Sequence, residues 1–392
     1  MNTAQWKIQV LDNVSRSGLA RFPSESYQID DQHLLPDGIL LRSSSLHQTD
    51  LPDSVLAIGR AGAGVNNIPV DRMSDRGVPV FNAPGANANA VKELVIAGLL
   101  LSCRNIIQAA NHTSSLSGTA AQIAKEVEVG KKQFGGFELP GKTLGVIGLG
   151  SIGRAVADTA LQMGMRVIGH DPLLTVEGAW RLSRDIFRAD SVQQVLANAD
   201  FITFHVPLTD ATRGMINAAN VGDLRPGATV LNFARDGIVD NASVCEALDS
   251  GNLRAYITDF PSPELVSHPG VTSLPHLGAS TIEAEENCAR MVVDQVRDFI
   301  ENGNIHNSVN FPDVRLARGT PHRVALANSN VPNMLGQIST AMARAGLNIH
   351  DMINQSRESL AFTIVDTDSP VSPETLAGLQ SIDGVLCARV IE

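Results

Sequence analysis

The stretch Lys142-Thr-Leu-Gly-Val-Ile-Gly-Leu-Gly-Ser-Ile-Gly153 runs an apolar, β-branched segment straight into glycines at 148, 150 and 153. A strand that ends in Gly-x-Gly-x-x-Gly and opens a helix has the form of a dinucleotide-phosphate turn. Gly148 permits the tight turn, Gly150 lets backbone approach a pyrophosphate, and Gly153 lets the helix pack on the sheet with the phosphates at its N-terminus, where Ser151 and Ile152 stand. Helix-compatible Ala155 to Met163 then leads to a second apolar run, Met165 to His170, which closes on Asp171, 18 residues beyond Gly153. An acid at that place accepts from the ribose 2′-hydroxyl and repels a 2′-phosphate, so the spacing predicts NAD as the cofactor.

Outward from this turn the chain alternates strands and helices. Apolar runs at Phe201 to His205, Thr229 to Asn232, Ala255 to Asp259 and Val271 to Pro275 continue the series, and their ends carry His205, Ala234 with Arg235, and Asp259. Ligands of a doubly wound sheet bind at such carboxyl ends. An earlier series holds Gly38 to Arg42, Val55 to Arg60, Val78 to Phe81 and a helical pattern from Asn89 to Leu101. From His322 onward the order is βαββαβ, a ferredoxin-like unit. The fold class is therefore α/β: two flavodoxin- or Rossmann-like doubly wound parallel-sheet domains and a C-terminal ferredoxin-like domain. The expected boundaries are a substrate domain from 1–95 and 277–310, a cofactor domain over 96–276, a Pro-bounded linker over 311–321, and a tail domain over 322–392.

Composition narrows the function. With 43% apolar and 18% charged residues over 392 positions, the chain can bury two or three cores. A net charge of −11 argues against sequence-independent nucleic-acid binding, so an anionic substrate needs a local arginine cluster. No apolar run approaches the ~18 residues that suggest a membrane span, and the first residues lack a secretory pattern. Cysteines 103, 245, 288 and 387 show no Cys-x-x-Cys spacing and are expected to stay reduced in a cytoplasmic protein. No metal site is expected.

Hydride transfer from a hydroxyl carbon needs a base for the hydroxyl proton and a cation to orient the substrate and polarise the developing carbonyl. His276, in Leu-Pro-His-Leu-Gly-Ala-Ser-Thr after a strand end, suits the first task because its ordinary pKa lies near neutrality. Glu264 is the nearest upstream carboxylate to support it, and Arg235 can grip a carboxylate with two parallel hydrogen bonds.

Residues 38 to 310 resemble the D-isomer-specific 2-hydroxyacid dehydrogenases. The match rests on Arg60-Ala-Gly-Ala-Gly-Val-Asn-Asn, Asn87 with Glu93, Gly148 to Gly153, Asp171-Pro172, His205-Val-Pro207, Asn232-Phe-Ala-Arg235, Thr258-Asp-Phe260 and Pro275-His-Leu-Gly-Ala-Ser-Thr281. The resemblance implies that Arg235, Glu264 and His276 form the catalytic triad, and that Ser151, Ile152, Asp171, Val206, Pro207, Ala234 and Asp259 contact the cofactor. It also implies that the substrate carboxylate meets Arg235 and the backbone of Gly62, Ala63 and Gly64, while Arg42 and Arg60 reach a substrate phosphate. This sequence departs from the family pattern at Asp236, Leu265, Asn66 and Pro69, and its gap from Glu264 to His276 is short.

In the tail, Asn330-Val-Pro-Asn-Met-Leu-Gly and Gly346-Leu-Asn-Ile resemble an ACT domain, an amino-acid sensor module; Asn330 and Asn348 match serine-binding positions, and Asn328 stands where a histidine is expected. The implied activity is NAD-dependent oxidation of 3-phospho-D-glycerate to 3-phosphooxypyruvate at the entry to serine synthesis. The alternatives are a dehydrogenase of another 2-hydroxyacid, such as glycerate or lactate, and an NAD-sensing corepressor. The implied partners are a phosphorylated 2-hydroxyacid, an amino-acid effector and further copies of the chain, with no nucleic acid or membrane.

Overall fold

The structure, a computed structural model, describes residues 5–391. It divides into two compact units, residues 1–87 with 282–392, and residues 88–281.

The first unit is built on five parallel strands, β1 Trp6–Val10, β2 Tyr27–Asp30, β3 Gly38–Leu41, β4 Ala57–Arg60 and β5 Val80–Phe81, in the order β2-β1-β3-β4-β5. All four residues of β3 are buried, as two-sided cover of a parallel sheet demands. Strands β1 and β2 precede Gly38, where the sequence placed its first strand. They escaped because β2 exposes three of its four residues and so carries almost no apolar signal. The long helix Ile282–Asn302 covers the sheet, and its Val292, Val296 and Ile300 share one fully buried cluster with Ile8, Leu40 and Phe81. Each such side chain contributes ~1.5–3 kcal/mol through burial. Gly59 is needed for the close approach: a Cβ there would lie 2.7 Å from both Leu40 and Val292.

The tail belongs to this unit. Its strands β13 His322–Ser329, β14 Ile349–Arg357, β15 Leu360–Thr367 and β16 Val385–Ile391 form an antiparallel sheet in the order β14-β15-β13-β16, with helices Met334–Arg344 and Pro373–Gln380 between them. Alternation along the strands makes two apolar faces. Val324, Leu326 and Val365 pack with Ile338, Met342 and Leu379, whereas Ala325, Ala327, Phe362 and Ile364 join the core of the parallel sheet. The segment expected to be a linker is structural: Phe311 and Val314 are buried, and Val314 exchanges backbone hydrogen bonds of 3.0 and 2.8 Å with Ile305. Its proline boundaries suggested a spacer, and its few apolar residues went unweighed. A fully buried ion pair closes this seam. Arg323 donates from Nε to Asp366 at 2.6 Å and from Nη1 to the Asn302 carbonyl at 2.9 Å.

The second unit holds seven parallel strands, β6 Thr143–Ile147, β7 Arg166–His170, β8 Ile186–Arg188, β9 Phe201–Phe204, β10 Ala228–Asn232, β11 Leu253–Thr258 and β12 Val271–Ser273. Their order, β12-β11-β10-β9-β6-β7-β8, reverses direction at β6, the strand that ends in Gly148. Helix Ala88–Arg104 buries Val91, Val95 and Leu99 beside Leu144 and Leu231. The unit therefore begins at residue 88, and it ends at 281, where the sequence suggested 96 and 276. Two further helices, Ile106–Ser115 and Ala120–Gly130, were not foreseen; between them only Gly130 is buried.

Candidate active site

The phosphate turn follows from its three glycines. Gly148 has φ +88°, and a Cβ there would lie 2.5 Å from the His205 carbonyl oxygen; at Gly153 a Cβ would fall 1.9 Å from the Gly148 oxygen. A Cβ at Gly150 would meet no atom within 4 Å, so that face is open. Helix Ser151–Gln162 starts beside it with no side-chain cap, leaving backbone N–H groups for an anion. Asp171 accepts from Leu149 N–H at 2.8 Å and from Leu173 N–H at 2.9 Å, which fixes the turn and still leaves each oxygen a lone pair. A cleft of about 640 Å³ lies between Leu149, Asp171 and the 172–182 segment. Open glycine face, uncapped helix and braced acid fit a dinucleotide.

Further along the same carboxyl edge, β9 leads to His205, Val206 and Pro207. Burial pushes the His205 pKa down to about 3, so the ring is neutral beside the Thr203 hydroxyl at 3.1 Å. After β10, buried Asn232 braces the next turn by accepting from Ala234 N–H at 3.2 Å and donating to the Arg235 carbonyl at 2.9 Å. Sequence reading noted Asn232 only within a motif, yet this side chain shapes the loop that carries Arg235. The Arg235 guanidinium is exposed and leans on the Ala234 carbonyl at 2.6 Å.

The two carboxylates after β11 differ sharply. Asp259 is fully buried; its Oδ2 accepts from Leu277 and Gly278 N–H, each at 3.1 Å, and its Oδ1 is buried without a partner among the described residues. Burial raises its pKa, against the pull of the His276 charge and the two N–H groups. Glu264 sits exposed on the short helix Pro263–Val266 and accepts the Ser262 hydroxyl at 2.6 Å, a bond that lowers its pKa. His276 is exposed, with its ring 5.0 Å from that of Phe260. Arg235, Asp259 and His276 thus follow three adjacent parallel strands. No hydrogen bond joins Glu264 to His276 among the described residues, and the carboxylate that grips the histidine loop is Asp259.

The first unit gathers the expected substrate residues. Asp12 accepts from Arg42 N–H at 2.5 Å, Ser43 N–H at 2.5 Å and Ser44 N–H at 2.6 Å, so it clamps the loop after β3. Arg60, at the end of β4, donates from Nε to the Arg42 carbonyl at 3.1 Å, and a Cβ on Gly62 would strike its Nη1 at 2.1 Å. Asn82 donates to the Ala63 carbonyl at 2.6 Å, while the N–H groups of Ala63 and Gly64 have no partner among the described residues. Arg42 pairs with Glu285 at 2.6 Å. Asp12 and Glu285 were missed, since an acid 30 residues before the loop it clamps, or on a helix remote in sequence from the arginine it pairs with, leaves no pattern around that arginine.

In the tail, Asn330 donates to the Glu358 carbonyl at 3.0 Å and Asn348 to Asp368 at 2.5 Å. They flank opposite ends of the β13–β15 ladder, where Ser329 pairs with Leu360 and His322 with Thr367. Eight residues at ~3.4 Å put them roughly 25 Å apart.

A profile of the D-isomer-specific 2-hydroxyacid dehydrogenase NAD-binding domain matches residues 98–278. The chain belongs to the D-isomer-specific 2-hydroxyacid dehydrogenases. Within that family it is 32% identical over 369 residues to the D-3-phosphoglycerate dehydrogenase of Methanocaldococcus jannaschii, covering 90% of this chain and 67% of the relative. It is 31% identical over 350 residues to that of Haemophilus influenzae, covering 86% and 81%. The NAD⁺-bound 3-phosphoglycerate dehydrogenase of Entamoeba histolytica shares the fold at TM-score 0.59 and 24% identity, over 78% of this chain and 99% of that one. Among the described residues no helix is long and apolar enough to cross a membrane.

Proposed function

We propose that this chain is an NAD-dependent dehydrogenase that oxidises 3-phospho-D-glycerate to 3-phosphooxypyruvate at the entry to serine synthesis, in the cytoplasm. The observation that carries the reading is the pair of arginines at the ends of adjacent strands β3 and β4, Arg42 and Arg60, beside the N–H groups of Ala63 and Gly64, which have no partner among the described residues. A plain 2-hydroxyacid needs only its carboxylate held; two further cations suit a phosphate.

NAD, when bound, supplies the hydride acceptor. The chain does the rest. His276 takes the hydroxyl proton on a ring nitrogen, and Asp259 holds the loop that presents it. Arg235 orients the substrate carboxylate and steadies charge on the forming carbonyl oxygen. Glu264 is the carboxylate that family resemblance places behind the histidine, and its Ser262 bond keeps it ionised and ready for that role. Ser151, Ile152, Val206, Pro207 and Ala234 line the cofactor edge, and Asp171 receives the ribose hydroxyl. A panel of 3-phosphoglycerate, glycerate and lactate with NAD tests the reading: equal or greater kcat/KM on an unphosphorylated acid overturns it.

The same proposal makes the tail an ACT-like module. Asn330 and Asn348 lie too far apart in one chain to hold a single small molecule, so an amino acid such as serine would take one asparagine from each of two copies, in a homo-oligomer. Calorimetry with serine, together with sedimentation, decides it; a monomer that releases no heat leaves the tail without this role.

A further inference from the structure

Inside the first unit, where the tail sheet meets the parallel-sheet fold, lies a cavity of about 320 Å³. Its wall is largely apolar, with Val55, Leu56, Phe299, Phe362 and Leu386 prominent, and it carries two guanidinium groups, Arg76 and Arg389. Arg389, on β16, donates to the carbonyls of Phe299 and Ile300 in the last turn of helix Ile282–Asn302, and its guanidinium carbon lies 4.7 Å from the Phe299 ring centroid. Those carbonyls are the negative end of the helix and explain part of the arrangement.

They do not explain all of it. The Nε of Arg389 is buried with no partner, and no carboxylate pairs with this side chain among the described residues. Burial pulls its pKa down to about 10, which still leaves it charged at neutral pH. Arg76 turns its donors to the Leu51 and Pro52 carbonyls at 2.9 and 2.7 Å and reaches one carboxylate, the solvent-facing Asp53, at 3.4 Å. Both arginines are half-buried; a partly desolvated cation without an anion is costly, and a neighbouring space that admits one relieves that cost.

We propose that this cavity binds a small monocarboxylate with an apolar body, the carboxylate facing Arg389 and Arg76 and the body lying against the two phenylalanines. The site is separate from every residue assigned to the dehydrogenase reaction and does not depend on that assignment. Because tail strands and the 53–56 and 76–78 segments form its wall, the ligand ties the tail to the fold that bears Arg42 and Arg60, and it stabilises the folded chain by an amount that grows with the logarithm of its concentration above Kd.

The test uses the full chain with saturating NAD, isovalerate as the probe and isovaleramide as its uncharged twin, followed by calorimetry and by melting temperature. Isovalerate should bind once per chain in the presence of 3-phosphoglycerate, and isovaleramide about tenfold more weakly or less well still. Arg389→Met should weaken isovalerate by a similar factor. Ala327→Leu, which fills the cavity without touching a charge, should do the same and covers the case in which the arginine variant fails to fold. Absence of binding, equal binding of the amide, binding that survives Ala327→Leu, or displacement by 3-phosphoglycerate each overturns the proposal.

Discussion

Both parallel-sheet units anchor their strand-end loops with an aspartate that accepts backbone N–H groups, and they put that device to opposite electrostatic use. In the second unit Asp171 and Asp259 brace the glycine turn and the histidine loop, leaving an open Gly150 face and a buried carboxylate next to the proposed base. In the first, Asp12 takes three N–H groups in a row and thereby presents a cation, Arg42, with Arg60 bonded to its carbonyl. Under the proposed assignment, one unit is arranged around proton and hydride chemistry and the other around recognition of an anion. An acidic chain can recognise an anion because the basic groups are placed locally, within the ~8 Å over which salt leaves charges unscreened.

The contrast breaks most readily at the histidine. His276→Ala should lower kcat by about 10²- to 10⁴-fold on every substrate while the NAD dissociation constant stays nearly unchanged. A variant that keeps near-normal turnover would remove chemistry from this unit.

The next effect concerns whether the tail truly belongs to the first unit. Asp366→Asn leaves Arg323 buried without its anion and should cost ~3–5 kcal/mol of stability. Burial acts to raise the Asp366 pKa, but the hydrogen bonds from Arg323 and Gly319 and the charges of Arg323 and Arg318 outweigh it, so the folded value lies below the ordinary one. Its contribution is accordingly present above the unfolded pKa and is lost as pH falls through the folded one, and denaturation curves of variant and wild type should converge in acid. Curves that stay parallel down to low pH would detach the ion pair from stability.

Recognition in the first unit is tested by Arg60→Ala. Loss of a charge-assisted contact costs ~1.5–3 kcal/mol, so 3-phosphoglycerate should weaken about tenfold or more while glycerate is little affected. Equal losses on both would make Arg60 a scaffold for Gly62. The smallest effect is expected from Glu264→Gln, because that side chain is exposed and bonded to Ser262. With one negative charge fewer near the base, the acidic limb of the kcat/KM profile should move to lower pH. If the profile is unmoved, Asp259 alone supports His276.

Much of this was legible beforehand because strand-end motifs are local. Gly148, Asp171, Arg235, Asp259 and His276 each announce themselves through a run of neighbours, and parallel strands bring their ends to one edge whatever lies between. The tail order was equally readable, since its strands alternate in hydropathy and its helices carry clear stops. Three things were not. Strand β2 is polar on paper because it lies at an edge; the segment around Phe311 reads as a spacer because two buried residues among prolines have no period; and the grip of Asp259 on the histidine loop has no sequence signal, because proximity in sequence says nothing about which acid turns inward. Long-range pairs such as Arg42 with Glu285 leave no local trace.

The first unit is discontinuous, and that shapes how the chain is made. Its central cluster needs Val292, Val296, Phe311, Phe362 and Ile391 to cover Ile8, Leu40 and Phe81. During synthesis residues 1–87 therefore emerge with half a core and wait while the whole second unit is translated, about 200 residues at ~5–20 per second, or on the order of 10–40 s. The second unit can close by itself in that interval. The amino-terminal strands cannot, and their unpaired edges are the part of the nascent protein most in need of a chaperone.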